Sequence, residues 1–99
     1  MGTADFLKMC EETVRQYVKE HLDKTDNVPD FEVYCVWNCK TLQNNKALMS
    51  TSLFDGMYYE MTYNGDKNEL YMDAYKKFEN QCFTVCTKDS GFIFEVEDI

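Results

Sequence analysis

A chain of 99 residues that is 44% hydrophobic and contains seven Phe and seven Tyr can bury a core of its own, which excludes intrinsic disorder and fits one domain. Eighteen acidic against ten basic residues give a formal net charge of −8, spread along the chain, and exclude the basic stripe that direct nucleic-acid binding requires. No apolar run approaches the roughly 20 residues that cross a bilayer, so we expect no membrane contact.

Residues 4–24 have the spacing of an amphipathic helix. Their apolar residues recur every three or four positions and share one arc of the helix surface: Phe6, Leu7, Cys10, Val14, Tyr17, Val18, His21 and Leu22. We expect Thr3 as the N-cap, and an end before Asp26-Asn27-Val28-Pro29. His21 is the single histidine, so we expect a half-buried packing residue rather than a ligand or base.

After Pro29 the apolar period changes from helical spacing to two. Four runs alternate within residues 31–75: residues 33–40, 47–53, 57–63 and 70–75. Each run has one mostly apolar side, which is typical of antiparallel strands that cover a core on one face. The sequence therefore predicts a single α+β domain over residues 1–99, with an N-terminal helix packed on a four-stranded antiparallel meander.

The turns fix an expected register. Three-residue loops at 43–45 and 54–56 keep the apolar sides together, whereas two-residue loops would separate them. At Asn64-Gly65, loops of two or four residues both fit. One face then gathers the residues that the helix should cover: Val33, Cys35, Trp37, Cys39, Met49, Leu53, Met57, Tyr59, Met61, Leu70 and Met72.

The opposite face is the candidate binding surface. The same registers align Asn38, Ser50, Glu60 and Tyr71 in one row, and Val36, Ser52, Tyr58 and Asp73 in the next, with Tyr34 beside them. Tyrosine offers a large amphipathic contact area at low entropy cost, and small hydroxyls beside it leave room for a partner's side chains. Two alternatives stay open: an ordinary solvated sheet face, or a face covered by residues 83–96.

Residues 76–99 form an appendage of helical or β structure. Residues 76–82 fit a short helix or a continued strand, whereas residues 83–86 and 92–96 flank a turn as in a hairpin.

The sequence carries no catalytic or metal signature. Glu60 and Asp73 are diagonal neighbours on an exposed sheet in this register, with nothing to perturb their pKa values, and no phosphate-cradling or nucleophile motif is present. The five cysteines are odd in number and lack the spacing and histidines of zinc sites, so we expect buried free thiols in a reducing compartment. Residues 1–6 also lack a secretory signal. We predict no enzyme and no cofactor.

Five segments resemble a family of small proteins of unknown function that are encoded by phages and prophages of Gram-positive bacteria. They are residues 21–26, 36–48, 55–60, 63–67 and 73–77. The resemblance implies a phage accessory protein in the host cytoplasm. Together with the acidic charge, it favours a protein that binds and inhibits a host macromolecule, above all a nucleic-acid-handling defence protein such as a CRISPR effector.

Two other functions also fit the sequence. The first is a binding sponge for a small molecule or nucleotide signal, with Tyr34, Tyr58 and Tyr71 as stacking groups. The second is a structural or replication-associated phage component. The expected partner is a host protein, and the oligomeric state, including a homodimer, is left open.

Overall fold

A computed structural model of the protein describes residues 1–22, 30–89 and 91–96. The elements in chain order are α1 (Thr3–His21), β1 (Val33–Thr41), β2 (Asn44–Thr51), β3 (Met57–Asn64), β4 (Glu69–Lys76), β5 (Phe83–Lys88) and β6 (Gly91–Val96). Strands β1 to β4 form one antiparallel sheet in the order β1-β2-β3-β4, and β5 pairs with β6 as a second sheet. The predicted α+β class, with one N-terminal helix on a four-stranded meander, is confirmed.

Helix α1 buries one stripe of apolar side chains. Phe6, Cys10, Val14 and Val18 recur every four residues and are all buried. The helix begins one residue earlier than predicted: Gly2 is the N-cap, without a side-chain cap hydrogen bond, so the prediction of Thr3 is wrong. It ends at His21, where the Leu22 N–H donates to the Val18 carbonyl at 3.0 Å. Residues 23 and 24, the last two of the predicted helix, lie outside the described residues.

The first two turns of the meander differ from the prediction. Leu42 and Gln43 form a two-residue turn with Leu42 at φ 55°, so Asn44 and Asn45 belong to β2 and not to a loop. Between β2 and β3 the connection is five residues long, 52–56, so the predicted three-residue loop is wrong, although Gly56 adopts the expected positive φ, at 70°. Four residues, 65–68, join β3 to β4. A Cβ on Gly65 would lie 2.2 Å from the Gln43 carbonyl oxygen, so two neighbouring turns can approach only because this residue has no side chain.

A β-bulge at Val36 changes which face the second half of β1 presents. Cys35 pairs with Met49, but Trp37 pairs with Leu48, so one residue of β1 has no counterpart. Every residue after the bulge moves to the other side of the sheet relative to an unbroken strand. The predicted burial of Trp37 and Cys39 is therefore wrong, and Trp37 is 44% exposed on the side away from the helix.

The core lies between α1 and the inner face of the sheet. Its largest fully buried side chains are Tyr59, Phe6, Met49, Met61, Val14 and Cys10. Cys35, Leu53, Met57, Leu70 and Met72 pack around them as predicted. Arg15 closes one end, donating from Nη1 to the Phe31 carbonyl at 3.1 Å while its guanidinium carbon lies 5.2 Å from the centre of the Phe31 ring. His21 is exposed rather than half-buried, and stacks on Tyr17 with ring centres 4.0 Å apart.

The C-terminal appendage is a β-hairpin that projects from the body. Residues 77–82 are an exposed connection without helix, and no extensive contact joins β5 or β6 to α1 or β1–β4. The radius of gyration is 17.9 Å, against about 13 Å for a compact chain of this length. The hairpin therefore does not cover the outer side of the sheet. The cysteine prediction also needs correction: Cys10 is buried and Cys35 partly so, but Cys39, Cys82 and Cys86 are exposed.

Candidate binding face

The side of the main sheet that faces away from α1, here called the outer face, carries three cross-strand rows. Each row takes one residue from each strand, and from β1 to β4 the rows are Tyr34–Ser50–Tyr58–Tyr75, Trp37–Leu48–Glu60–Asp73 and Cys39–Lys46–Thr62–Tyr71. Residues directly opposite one another on antiparallel strands have Cβ atoms about 5 Å apart, so each row is a continuous strip of side chains. The outer face is thus an aromatic surface with charges at its centre.

Six of the eight predicted site residues lie on this face: Tyr34, Ser50, Tyr58, Glu60, Tyr71 and Asp73. They do not form the predicted rows, because each strand is offset from the expected register. Glu60 lies directly opposite Asp73, not diagonal to it. Ser50 is only 6% exposed and donates to the Met57 carbonyl at 2.9 Å, so its hydroxyl is already engaged.

The other two predicted residues are not part of the face. Asn38 pairs with the buried Ala47, which places it on the inner side of the sheet. Ser52 follows the end of β2, where its Oγ accepts the Glu32 N–H at 2.8 Å. The prediction for Asn38 assumed an unbroken β1, and the bulge at Val36 makes it wrong. The prediction for Ser52 assumed that β2 continues to residue 53, whereas the strand ends at Thr51.

The structure adds residues that the sequence did not single out. A shallow groove of about 470 Å³ lies across the outer face and is lined by Trp37, Leu48, Tyr58, Glu60, Tyr75, Lys76 and Lys77. Tyr75 could have been found, since it continues the alternation of Tyr71 and Asp73. Trp37 could not, because the bulge leaves no mark in the apolar pattern of β1. A second depression, of about 480 Å³, follows the charged solvent side of α1 and has no aromatic lining.

Glu60 is the electrostatic centre of the groove. One carboxylate oxygen, Oε1, lies 2.6 Å from Lys46 Nζ, and the other, Oε2, accepts a hydrogen bond from the Tyr75 hydroxyl. The bonds from Lys46 and Tyr75 lower the pKa of Glu60, and the Glu60 carboxylate raises the pKa of Tyr75 to about 12 and that of Lys46. At neutral pH the site therefore presents an ionised carboxylate, a protonated lysine and a neutral phenol held in one geometry.

This arrangement suits non-covalent recognition. A carboxylate whose pKa is lowered is a poor general acid, and its oxygens are already occupied by Lys46 and Tyr75. Among the described residues, no group of three or more His, Cys, Asp or Glu is placed to hold a metal ion. In the same part of the chain, no helix is long and apolar enough to span a membrane. Aromatic side chains around an oriented charge are the usual composition of a protein-binding surface.

Comparison with curated proteins and with solved structures gives no match for this chain. The sequence model of a family of unknown function, DUF6275, matches residues 7–85. That range covers most of α1, the whole four-stranded sheet with the groove, the connection after it and the first residues of β5. The match spans well over half of the sequence, and the chain therefore belongs to this family of unknown function.

Proposed function

We propose that this protein is a non-catalytic binding protein whose outer face engages a partner protein. The observation that carries the proposal is the groove, in which Trp37, Tyr58 and Tyr75 surround the Glu60 carboxylate. Trp and Tyr are enriched among residues that dominate binding energy, because each buries a large area and loses few rotamers. Glu60 is already fixed by Lys46, so little side-chain order has to be gained on binding.

The partner that best fits the charge is a protein with a basic surface. A net charge of −8 steers such a protein towards the chain. On the outer face, the Asp73 carboxylate can occupy a position that a phosphate would take on a nucleic acid. The resemblance of residues 21–77 to phage-encoded proteins supports a setting in the host cytoplasm. We therefore propose an accessory protein that inhibits a nucleic-acid-handling defence protein of the host.

The test is a capture experiment with matched variants. The tagged protein is incubated with host lysate, and the captured protein is then purified and titrated. Trp37→Ala and Tyr75→Ala should each weaken its binding at least about thirty-fold if these side chains are interface anchors. Phe78→Ala removes an almost fully exposed aromatic ring outside the outer face and should leave binding unchanged.

Charge is tested separately. Asp73→Lys should slow association, and rising salt should reduce the association rate of the unmodified protein, because steering is screened within about 10 Å at 0.1 M salt. Asp66→Lys makes the same charge change in the exposed turn between β3 and β4, away from the groove, and should have a smaller effect. Equal effects of the two lysine substitutions would show that the association rate depends on the net charge of the protein and not on the position of Asp73. Unchanged affinity in Trp37→Ala and Tyr75→Ala would remove the outer face as the binding surface.

One observation favours a second candidate, a small aromatic anion such as a nucleotide signal. Lys76 and Lys77 line the same groove as Trp37, Tyr58 and Tyr75, so a stacking platform lies beside two cations. A thermal-shift screen with nucleotides should then show stabilisation that Lys76→Ala combined with Lys77→Ala removes. Stabilisation without sensitivity to these lysines would place the ligand elsewhere.

A further inference from the structure

The C-terminal hairpin has one uncharged, apolar side. Strands β5 and β6 pair in the register Phe83–Val96, Val85–Phe94 and Thr87–Phe92, and these six residues share one side, here called the hairpin face. The Phe92 and Phe94 rings lie 6.4 Å apart. The five apolar members are between 48% and 67% exposed. The charged residues Lys88 and Glu95 alternate with them and lie on the other side, together with Cys86 and Ile93.

A hairpin with such an exposed apolar side needs another surface packed against it to be stable. Two strands without a packed face are marginal in water, since they bury too little surface to offset their conformational entropy. No helix or strand of the body packs extensively on β5 or β6. Each apolar residue of the hairpin face exposes on the order of 100 Å², which gives roughly 500 Å² in all, as large as the largest apolar patches of ordinary monomers.

The outer face is a poor cover for this surface. The middle row of the outer face carries Glu60 and Asp73, and the adjacent row carries Lys46. Phenyl rings packed over these charged groups would remove them from water without giving them new hydrogen bonds. An identical hairpin face has no such cost, because it carries no charge and two copies related by a two-fold axis can present the same residues to one another. For a protein with net charge −8, self-association also needs a contact that brings no carboxylates together.

We propose that two copies of this chain associate through their hairpin faces. The two hairpins pack sheet on sheet, about 10 Å apart, as a small four-stranded sandwich. Roughly 500 Å² from each copy gives about 1,000 Å² of buried surface, which reaches the lower limit for a specific interface. The outer face of each copy remains open, so the dimer carries two groove surfaces. The proposal does not depend on what those grooves bind.

The experiment measures mass against concentration on the full chain by sedimentation and light scattering. The expected result is a reversible dimer of twice 11.7 kDa. Its dissociation constant should fall as the salt concentration rises, because salt screens the repulsion between the two acidic subunits. Val85→Asp and Phe94→Asp, a cross-strand pair on the hairpin face, should each weaken the dimer at least about thirty-fold. Cys86→Asp and Ile93→Asp, the neighbouring pair on the other side, make the same change and should leave the dimer within a few-fold of the unmodified protein.

Trp37 supplies an independent readout of the dimer geometry. It lies on the outer face, so its emission should not change between monomer and dimer if the hairpin faces meet each other. A dimer that blue-shifts Trp37 would mean that the hairpin occupies the groove of the other copy, and overturns the proposal. So would a monomer at all concentrations, or a dimer equally sensitive to all four aspartate substitutions. If the dimer forms as expected but its outer face binds no partner, that result would count against the proposed function alone.

Discussion

Phe6→Ala tests the packing of α1 on the sheet more directly than any other substitution. The Phe6 ring is completely buried, its centre 6.5 Å from that of Tyr63 in β3. It joins the first turns of the helix to the inner face of the sheet. Removing it leaves the helix in place through Cys10, Val14 and Val18 but opens a cavity beneath its N-terminal end.

The size of the effect follows from burial. Truncation to Ala gives up on the order of 100 Å² of apolar burial, about 2.5 kcal/mol at ~25 cal/mol per Å². The cavity that remains raises the total to about 3–5 kcal/mol. In a domain of this length, such a loss lowers Tm by at least about 12 °C. Urea unfolding followed by far-ultraviolet circular dichroism measures the free energy of unfolding, and a thermal scan measures Tm.

Phe54→Ala is the matched control, since this ring is fully exposed in the loop between β2 and β3. Its free energy of unfolding should lie within about 0.5 kcal/mol of the unmodified protein. A loss below about 1 kcal/mol for Phe6→Ala, or equal losses for both substitutions, would refute the packing of α1 on the inner face.

Two further predictions concern ionisable groups. Burial, with a smaller contribution from Cys35, raises the pKa of the Cys10 thiol to about 12. Ellman's reagent at pH 8 should therefore modify the exposed Cys39 and Cys86 quickly, and Cys10 only after urea is added. A fast phase of modification that becomes smaller in Cys10→Ser would contradict the burial of Cys10. The hydrogen bond to Glu60 raises the pKa of Tyr75 to about 12, so this contribution to stability is complete below about pH 10 and is lost as the pH rises towards 12. In a tyrosinate absorbance titration, Glu60→Gln should move one late transition to lower pH, and an unchanged curve would show that the bond is not made in solution.

The sequence predicted the elements of the fold because their periods are regular. The four-residue recurrence of Phe6, Cys10, Val14 and Val18 identifies α1, and the alternation around Met49, Tyr59 and Met61 identifies the inner face of β2 and β3. These strands kept their predicted sides even though their registers were offset. An offset by an even number of residues leaves each side chain on its own face, so the pattern cannot reveal it.

The site was only partly predictable, for two local reasons. Val33, Cys35, Trp37 and Cys39 alternate without interruption, and an apolar residue at every second position hides a bulge at the apolar Val36. The first turn also lacks the usual chemistry: Leu42 takes the positive φ that glycine or asparagine normally supplies, while Asn44 and Asn45 beside it lie in a strand. Asn45 is even buried, at 2% exposure, which no propensity would suggest. As a result, the sequence predicted Tyr58 and Glu60 as residues of the binding surface but placed Trp37 in the core.

The strand order β1-β2-β3-β4 has a consequence for how quickly the chain can fold. Every strand pairs with its neighbour along the sequence, across connections of two to five residues, so each ladder closes a short loop and little chain entropy is lost before contacts form. A nucleus can begin at any hairpin and grow towards both edges. The β5–β6 hairpin shares no extensive contact with that nucleus, so we expect it to open and close independently of the main sheet.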